Sequence, residues 1–490
     1  MSIIPDDQTA ARPETIARSR WALLAVALAT FMTYLDNNII NVAMPAIQRD
    51  LDLSVSGLEW VVSGYILTFA GLLLVGGRLA DAFGRKRLFL VGLGIFTTAS
   101  LAAGLSDSSA TLIAARVVQG LGAALVTPTT LAIISATFTN TKARNAAVGI
   151  WSAVGALALA VGPLLGGVLS QHASWGWIFF INVPVGVATL ALGAWAITES
   201  RESTARGLDF PGLITSALAL FSLTYALIEG HDKGWTSTTI LGAFAVAAIM
   251  FAIFIQIERC SAAPMVDVAL FAERAFTGGT IALMMWAFGL FGIYFFTSLY
   301  LQNVLGFSPT KAGLAFVPMA LLMAVSAIIS ERVALRFGAH RSTAVAMFLM
   351  AAGIASVSML GETATFLDLM PSFAIIGIGG GLTIPLTTSV LAVMPVEQSG
   401  IASALFNASR EVAGLLGITV IGAILVARQT TALAHGHSAT DAFLTGYRTG
   451  LVVAAVLVAA GGVAAWIALR PSASTPTPTP ADTSELALAG

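Results

Sequence analysis

Long apolar runs of similar length dominate the chain, and short polar segments separate them. Each run comes close to the ~20 residues that an α-helix needs to cross the hydrocarbon core of a bilayer. The runs lie at 21–43, 57–77, 88–106, 110–134, 145–170, 176–198, 210–230, 238–257, 276–301, 311–331, 342–360, 365–391, 400–427 and 444–469. This pattern predicts an all-α polytopic membrane protein with fourteen transmembrane helices.

The basic residues of the short polar segments predict an orientation. An even number of spans places both termini on one side, and Lys and Arg are enriched on the cytoplasmic side of a membrane. If the N-terminus is cytoplasmic, seventeen of the 24 Lys and Arg residues lie in inner segments and five in outer ones, with Arg116 and Arg410 inside spans. We therefore expect a multi-pass protein of the plasma (cytoplasmic or inner) membrane with both termini in the cytoplasm.

Composition narrows the function classes. Hydrophobic residues make up 57% of the 490 positions and charged residues 10%, with a net charge of -1, so nothing favours a nucleic-acid partner. The single cysteine, Cys260, excludes an intrachain disulfide, and no His/Cys spacing indicates a metal. Segment 1–20 is predicted to be a cytoplasmic tail before a retained first span, and the Pro-, Ser- and Thr-rich segment 471–490 a disordered cytoplasmic tail.

Two pairs of similar strings indicate an internal duplication. FGRKR at 83–87 resembles FGAHR at 337–341, and GLGAALVTP at 120–128 resembles GIGGGLTIP at 377–385. The two strings of the first pair lie 254 positions apart and those of the second pair 257 positions apart, which is nearly the same offset. Such duplicated bundles place their binding site near the bilayer midplane, between the copies.

This duplication divides the chain into two six-helix bundles and an insert. The predicted units are an N-terminal bundle at 21–198, a two-helix insert at 210–257 and a C-terminal bundle at 275–470. The copies differ in charge, because Asp81 and Arg116 correspond by these offsets to Leu335 and Phe373.

Asp36 lies near the middle of the first apolar run, in LDNNIINVAMP. A carboxylate at that depth is costly, so it usually faces water or a partner and marks a functional site. Burial disfavours the charged form of a carboxylate, whereas a neighbouring cation favours it. We therefore predict that Asp36 couples transport to protons and that Arg116, inside the fourth span, lines a cavity and senses Asp36. The alternative for Arg116 is structural bonding to backbone carbonyls.

The segment after the second span carries GGRLADAFGRKR, which resembles the signature loop of the major facilitator superfamily. The matched positions are Gly77, Leu79, Ala80, Asp81, Gly84, Arg85 and Lys86. We expect Gly77 and Gly84 to permit a tight turn and close helix approach. The resemblance implies a major facilitator fold in which the Asp81 loop latches the cytoplasmic gate.

Four further strings resemble motifs of that family or of its fourteen-span drug:proton antiporter branch. The fourth span matches an intramembrane arginine motif at Arg116, Gln119 and Gly120. The first-span string fits the pattern of the branch at Asp36, Asn41 and Pro45. Asn37 and Asn38 stand there in place of the usual small hydroxyl residues. The fifth span resembles the antiporter motif at Gly155, Gly162, Pro163, Gly166 and Gly167, and would help to seal the outer gate. WGWIFFINVP resembles the branch's entry to the sixth span, with Gly176 replacing the usual arginine.

The resemblance implies a monomeric multidrug or antibiotic exporter that exchanges hydrophobic or cationic drug-like molecules for protons. No ATP-binding string occurs, so we expect no cofactor and a proton gradient as the energy source. The sequence also contains no arrangement of nucleophile and base, and no metal-ligand cluster, that would favour an enzyme. Export of one specific metabolite or antibiotic, and proton-coupled uptake, stay open. The expected cavity residues are Asn37, Asn38, Asn41, Gln119, Asn407, Arg410 and Glu411.

Two groups of residues have simpler interpretations. Glu59 and Glu229 fall near span ends, so we expect their side chains to reach water. The aromatic residues between Trp286 and Tyr300 cover more than one helix face, so most of them should contact lipid or pack, while one or two could stack on a flat ligand.

Overall fold

A computed structural model describes residues 13–201, 209–261, 264, 266–392 and 399–470. Within these residues the chain is helical and carries no strand. Fourteen segments are long and apolar enough to cross a membrane, and each overlaps one of the fourteen apolar runs. The predicted number of spans and the all-α fold class are confirmed, whereas both terminal tails lie mostly or wholly outside the described residues.

Sixteen α-helices build these fourteen spans in the described part of the chain. The first six spans are α1 (Pro13–Asp50), α2 (Val55–Phe83), α3 (Arg85–Gly104), α4 (Ser109–Thr137), α5 (Thr141–His172) and the pair α6 (Trp177–Phe180) and α7 (Asn182–Ala196). The insert is α8 (Phe210–Lys233) and α9 (Thr238–Cys260). The last six spans are α10 (Arg274–Leu299) with a π-turn at Tyr300–Val304, α11 (Pro309–Phe337), α12 (Ala339–Ser358), the pair α13 (Phe366–Leu382) and α14 (Ile384–Ala392), α15 (Ser399–Ala434) and α16 (Ala439–Ala468).

The sixth span is interrupted at Ile181, between α6 and α7. Pro184 lies two residues into α7 and has no N–H, so the normal helical hydrogen bond to the Phe180 carbonyl is missing there. Asn182 is the first residue of α7 and is 1% exposed. The break therefore places a buried amide side chain inside the first bundle.

Both halves use glycine in the same way at the helix crossings. Glycine has no Cβ, so the backbones of neighbouring helices can approach closely at these positions. A Cβ at Gly120 would overlap the Tyr65 carbonyl, and one at Gly377 would overlap the Met319 carbonyl. A Cβ at Gly122 would lie 2.6 Å from the backbone nitrogen of Phe96. A Cβ at Gly379 would lie at the same distance from the backbone nitrogen of Met350. Tyr65 and Met319, like Phe96 and Met350, are 254 positions apart, which is the offset of the FGRKR pair.

The links between α2 and α3 and between α11 and α12 also correspond. Gly84 and Gly338 occupy them with φ of 112° and 87°, in the region that favours glycine. The repeated strings therefore mark positions with equal backbone roles in the two halves.

The insert packs mainly through α8, which contacts α2 and α15, whereas α9 packs chiefly on α8. Large apolar side chains of α9, among them Leu241, Ile249 and Phe251, are exposed. In a membrane this face of α9 meets the lipid chains.

Candidate functional site

A cavity of about 590 Å³ lies between the two halves. Helices α1, α2, α4 and α5 form one wall, and α10, α11 and α15 form the other. The lining extends along α2 from Val62 to Gly77, Arg78 and Asp81. The cavity therefore reaches the end of the bundle at which α2 meets α3, which we call the Asp81 end.

The opposite end, which we call the Gly167 end, is closed by contacts between the halves. A Cβ at Gly167 would overlap the Pro309 carbonyl of α11, and one at Gly313 would overlap the Pro163 carbonyl of α5. Nearby, Gln302 of the π-turn donates to the Val42 carbonyl at 2.9 Å. Among the described residues, the cavity thus extends to the Asp81 end and is closed off at the Gly167 end.

Amide side chains of α1 line the cavity. Asn37, Asn38 and Asn41 lie on its wall, and Asn407 of α15 faces them from the other half. Asn38 and Asn407 each donate to the backbone carbonyl four residues earlier on their own helix, at 2.8 and 2.9 Å. Their carbonyl oxygens can still accept hydrogen bonds from a ligand.

The charged pair of α15 also lies in the cavity. Arg410 donates to Oε1 of Glu411 at 3.1 Å from Nε and 2.6 Å from Nη2, and the Tyr34 side chain of α1 is a further partner of Arg410. Oε2 of Glu411 is buried without a hydrogen-bond partner among the described residues. One carboxylate oxygen is therefore free to meet a polar or cationic group.

Aromatic residues cover much of the remaining wall. Trp286, Phe291 and Tyr294 of α10 line the cavity, and the Trp286 Nε1 has no hydrogen-bond partner among the described residues. Phe295 and Phe296 are fully buried between helices. The prediction from sequence is that most of these rings contact lipid or pack: Phe295 and Phe296 pack, whereas Trp286, Phe291 and Tyr294 line the cavity.

Asp36 lies in a closed polar cluster behind this cavity. It is fully buried and accepts hydrogen bonds from Arg116 Nη1 at 2.5 Å, Gln119 Nε2 at 2.7 Å and Asn182 Nδ2 at 2.9 Å. Gln119 also donates to the Ser100 hydroxyl at 2.8 Å. We call these five residues the Asp36 cluster. The donors to Asp36 come from α4 and α7, and Ser100 of α3 accepts from Gln119, so the cluster joins α1 to two helices directly and to α3 through Gln119.

Arg116 combines the two roles considered from the sequence. Its Nη1 binds Asp36 and the Gln119 carbonyl oxygen, while its Nε donates to the Val61 backbone carbonyl at 3.3 Å. Its guanidinium carbon lies 4.3 Å from the centre of the Tyr65 ring. Arg116 and Gln119 are fully buried and do not line the cavity, which corrects both predictions of their position.

Tyr65 separates the Asp36 cluster from the cavity. Its ring packs on Arg116, and the same residue lines the cavity wall. The charges of Asp36, Arg116 and Glu411 all act on the Tyr65 hydroxyl. Tyr65 is therefore the side chain through which the cluster and the cavity contact each other.

Sequence reasoning missed three members of this arrangement. Ser100, Asn182 and Tyr65 were not assigned to the site. Asn182 carried a usable signal, because it is an amide at the centre of the apolar string WGWIFFINVP. Ser100 and Tyr65 have no comparable signal, since hydroxyl and aromatic residues are common in apolar helices for packing reasons alone.

The Asp81 loop is held by local contacts. Asp81 accepts from Arg85 at 3.0 and 2.9 Å, and the Glu199 carboxylate accepts from the backbone N–H groups of Lys86 and Arg87 at 3.1 and 3.2 Å. Glu199 thus binds the positive N-terminal end of α3.

The closest contact of α2 with α4 is made by Gly76 and not by Gly77. A Cβ at Gly76 would overlap the Ala124 carbonyl, whereas one at Gly77 would meet only Pro128 at 3.6 Å.

The glycines of the fifth span divide by partner. Gly162 and Gly166 pack on Asn38 and Ile39 of α1, while Gly167 packs on α11. Gly155 is looser, since a Cβ there would lie 3.9 Å from Thr30 and Tyr34. The motif therefore ties α5 to α1 within the first half and to α11 across the closed end.

Comparison with known proteins gives concordant matches. Residues 26–418 match the model of the Major Facilitator Superfamily. The chain is 37% identical to the tetracenomycin C resistance and export protein of Streptomyces glaucescens, over 83% of this chain and 76% of that protein. It is 35% identical to the multidrug resistance protein Stp of Mycobacterium tuberculosis, over 83% and 75%, and 34% identical to the methylenomycin A resistance protein of Streptomyces coelicolor, over 91% of each.

Solved structures agree at the level of fold. A bacterial homolog of the human lysosomal transporter Spinster superposes with a TM-score of 0.66 at 18% identity, covering 92% of this chain and 97% of that chain. The POT family transporter PepTSo superposes with a TM-score of 0.67 at 14% identity, covering 92% and 98%. With the family match, the sequence relatives and the fold in agreement, the chain belongs to the Major Facilitator Superfamily.

Proposed function

We propose that this protein is a proton-driven antiporter that exports hydrophobic or cationic drug-like molecules across the plasma membrane. One observation carries the proposal: a fully buried carboxylate–guanidinium cluster lies directly behind the wall of a cavity between the two halves. The resistance and export functions named for the relatives support the direction and the substrate class.

The cavity wall supports a flat, largely apolar substrate. Rings of Tyr34, Tyr65, Trp286 and Tyr294 can stack on an aromatic ligand, and the amides of α1 can exchange hydrogen bonds with its polar groups. A cationic group would meet the free Oε2 of Glu411, which the structure leaves buried and without a partner among the described residues.

Proton coupling would run through Asp36. Protonation removes the charge that Arg116 and Gln119 bind, so it weakens the contacts that hold α1 against α4. Tyr65 transmits the change, because it contacts Arg116 on one side and the ligand space on the other. Substrate and proton would then favour different arrangements of the same helices, which is what exchange requires.

Alternating access would exchange the open and closed ends. We assign the Asp81 end to the cytoplasm because basic residues concentrate there. The structure would then correspond to the state that loads substrate from inside. Closure would bring the Asp81 loop against the second half, while the glycine contacts of α5 with α11 would separate.

Transport by purified protein in proteoliposomes tests this proposal. A fluorescent cationic dye and a neutral polycyclic dye should move against an imposed proton gradient, and an ionophore that collapses the gradient should stop them. Asp36→Asn should abolish gradient-driven transport, because the amide keeps the shape but cannot bind and release a proton. Asp107→Asn, an exposed acid in the loop after α3, is the matched control and should transport normally.

Two results would overturn the proposal. Transport by Asp36→Asn at the wild-type rate would remove Asp36 as the coupling group. Dye movement in the same direction as the protons would indicate uptake in place of export.

A further inference from the structure

Glu59 lies on α2 near the Gly167 end and is 2% exposed. Its position near a span end predicts a side chain that reaches water, and this prediction is wrong for Glu59. Glu229, the other acid of that prediction, is partly exposed and bonded to Trp60 at 2.9 Å and Lys233 at 3.1 Å. Two acids with the same sequence context therefore have different surroundings.

The Glu59 carboxylate lies directly against Gly422 of α15, in the other half. A Cβ built on Gly422 would overlap Oε1 of Glu59 and lie 3.0 Å from Oε2. Val62 lies about one helical turn from Glu59 on α2, and Ile418 about one turn from Gly422 on α15; both still line the cavity. Glu59 thus occupies the α2–α15 contact at the closed end of the cavity.

No hydrogen bond or ion pair joins Glu59 to any residue that the structure describes. The titratable group that acts on it is another acid, Asp232 of α8. The other charges of the neighbouring helices are engaged elsewhere or exposed: Glu229 with Lys233, His231 with Thr430, Arg116 with Asp36, and Arg428 at the exposed end of α15. Among the residues that the structure describes, no cation therefore faces the Glu59 carboxylate.

Burying a charged carboxylate without a partner is strongly unfavourable, whereas the neutral acid is tolerated. Separation of α2 from α15 would expose Glu59 to water, where the charged form is stable. Protonation and closure of this contact are consequently linked, since each favours the other.

We propose that Glu59 is a protonatable latch of the Gly167 end: the contact between α2 and α15 closes when the Glu59 carboxyl is neutral and opens when it is charged. The direction in the cell rests on the proposed function, in which this end faces the exterior. External acid would then favour closure and return of the protein to the inward-loading state. The proton leaves again on the same side at the next opening, so it regulates the cycle without being transported.

Distance measurements between spin labels test the latch without transport. Labels at Asp107→Cys and Thr363→Cys, in exposed loops at the Gly167 ends of the two halves, are introduced together with Cys260→Ser, and the protein is studied in lipid nanodiscs without substrate. The wild type should shift from short to long distances as the pH rises. Glu59→Gln should stay at short distances throughout, and Glu229→Gln should follow the wild type.

A second variant and a second background keep the test independent. Gly422→Ala should displace the Glu59 carboxylate, which is the flexible end of that side chain, and should therefore shift the pH at which the distance changes. The difference between wild type and Glu59→Gln should persist in the Asp36→Asn background, so failure of proton-driven export would leave it unchanged. A Glu59→Gln titration that overlays the wild type, or a wild type that does not respond to pH, would overturn the latch.

Discussion

The two halves share a scaffold but differ in the chemistry buried at corresponding positions. In the first half, Arg116 binds Asp36 and packs on Tyr65. The corresponding residue of the second half is Phe373, which stacks on Phe316 at 5.3 Å, and Phe316 in turn stacks on Tyr294 at 5.1 Å. A polar cluster in one half thus has an aromatic stack as its counterpart in the other.

This difference separates what the duplication preserves from what it allows to change. The glycine contacts recur because a side chain there would prevent two backbones from approaching, whichever half they are in. The side chains between those contacts can be charged or aromatic, provided that the space is filled and the polar groups are satisfied. Proton chemistry is therefore expected in the first half, with the second half contributing mainly surface for the substrate.

The largest effect is expected from Arg116→Gln. Removing one partner of a buried ion pair costs about 3–5 kcal/mol when the other charge stays behind. The variant should lose thermal stability and proton-driven export together. A double-mutant cycle with Asp36→Asn, followed by melting temperature and dye transport, measures the coupling between the two residues.

The cycle distinguishes the ion pair from the bond to the Val61 carbonyl. If the ion pair dominates, Arg116→Gln should destabilise the Asp36→Asn protein much less than the wild type. Equal losses in both backgrounds would assign Arg116 to backbone bonding and would weaken the contrast between the halves.

A smaller effect, equal in the two halves, is expected from Gly120→Ala and Gly377→Ala. Each methyl group would overlap a backbone carbonyl, of Tyr65 or of Met319, and overpacking of this kind costs about 1–3 kcal/mol. Melting temperatures in one detergent should fall by similar amounts. Gly71→Ala, with no atom within 4 Å of its built Cβ, is the control and should not fall. A large drop for one variant alone would show that the two crossings are not equivalent.

The smallest effect is expected from Phe373→Leu. The change removes one stacked pair, an interaction worth about 0.5–1.5 kcal/mol beyond buried area, and leaves every polar group of the first half in place. Stability should fall slightly, and the pH profile of transport should keep its shape. A displaced pH profile would mean that the aromatic stack takes part in proton coupling.

The sequence was sufficient for the spans and for much of the cavity. Helix length in a bilayer is set by its thickness, so the apolar runs predicted the fourteen spans directly. The structure places Asn37, Asn38, Asn41, Asn407, Arg410 and Glu411, which we expected in the substrate cavity, on the cavity wall. Their roles in binding stay predictions.

Other positions could not be read from one helix at a time. Gln119 and Asn41 are both amides within apolar spans, yet one faces Asp36 and the other faces the cavity, since the rotation of each helix depends on its neighbours. The same reason explains Glu59, which is close enough to a span end to reach water but is covered by α15 and α8. Depth in the membrane can be estimated from sequence, whereas the direction of a side chain around the helix axis requires the fold.

The complete burial of Asp36 has a consequence for a cell that makes the protein when no drug is present. In this conformation Arg116, Gln119, Asn182 and Tyr65 separate the carboxylate from the cavity. Under the proposed mechanism, an idle transporter in this state cannot pass protons from one side of the membrane to the other. The geometry thus limits leakage, and the cell could keep the exporter at high copy number without discharging the gradient that drives it.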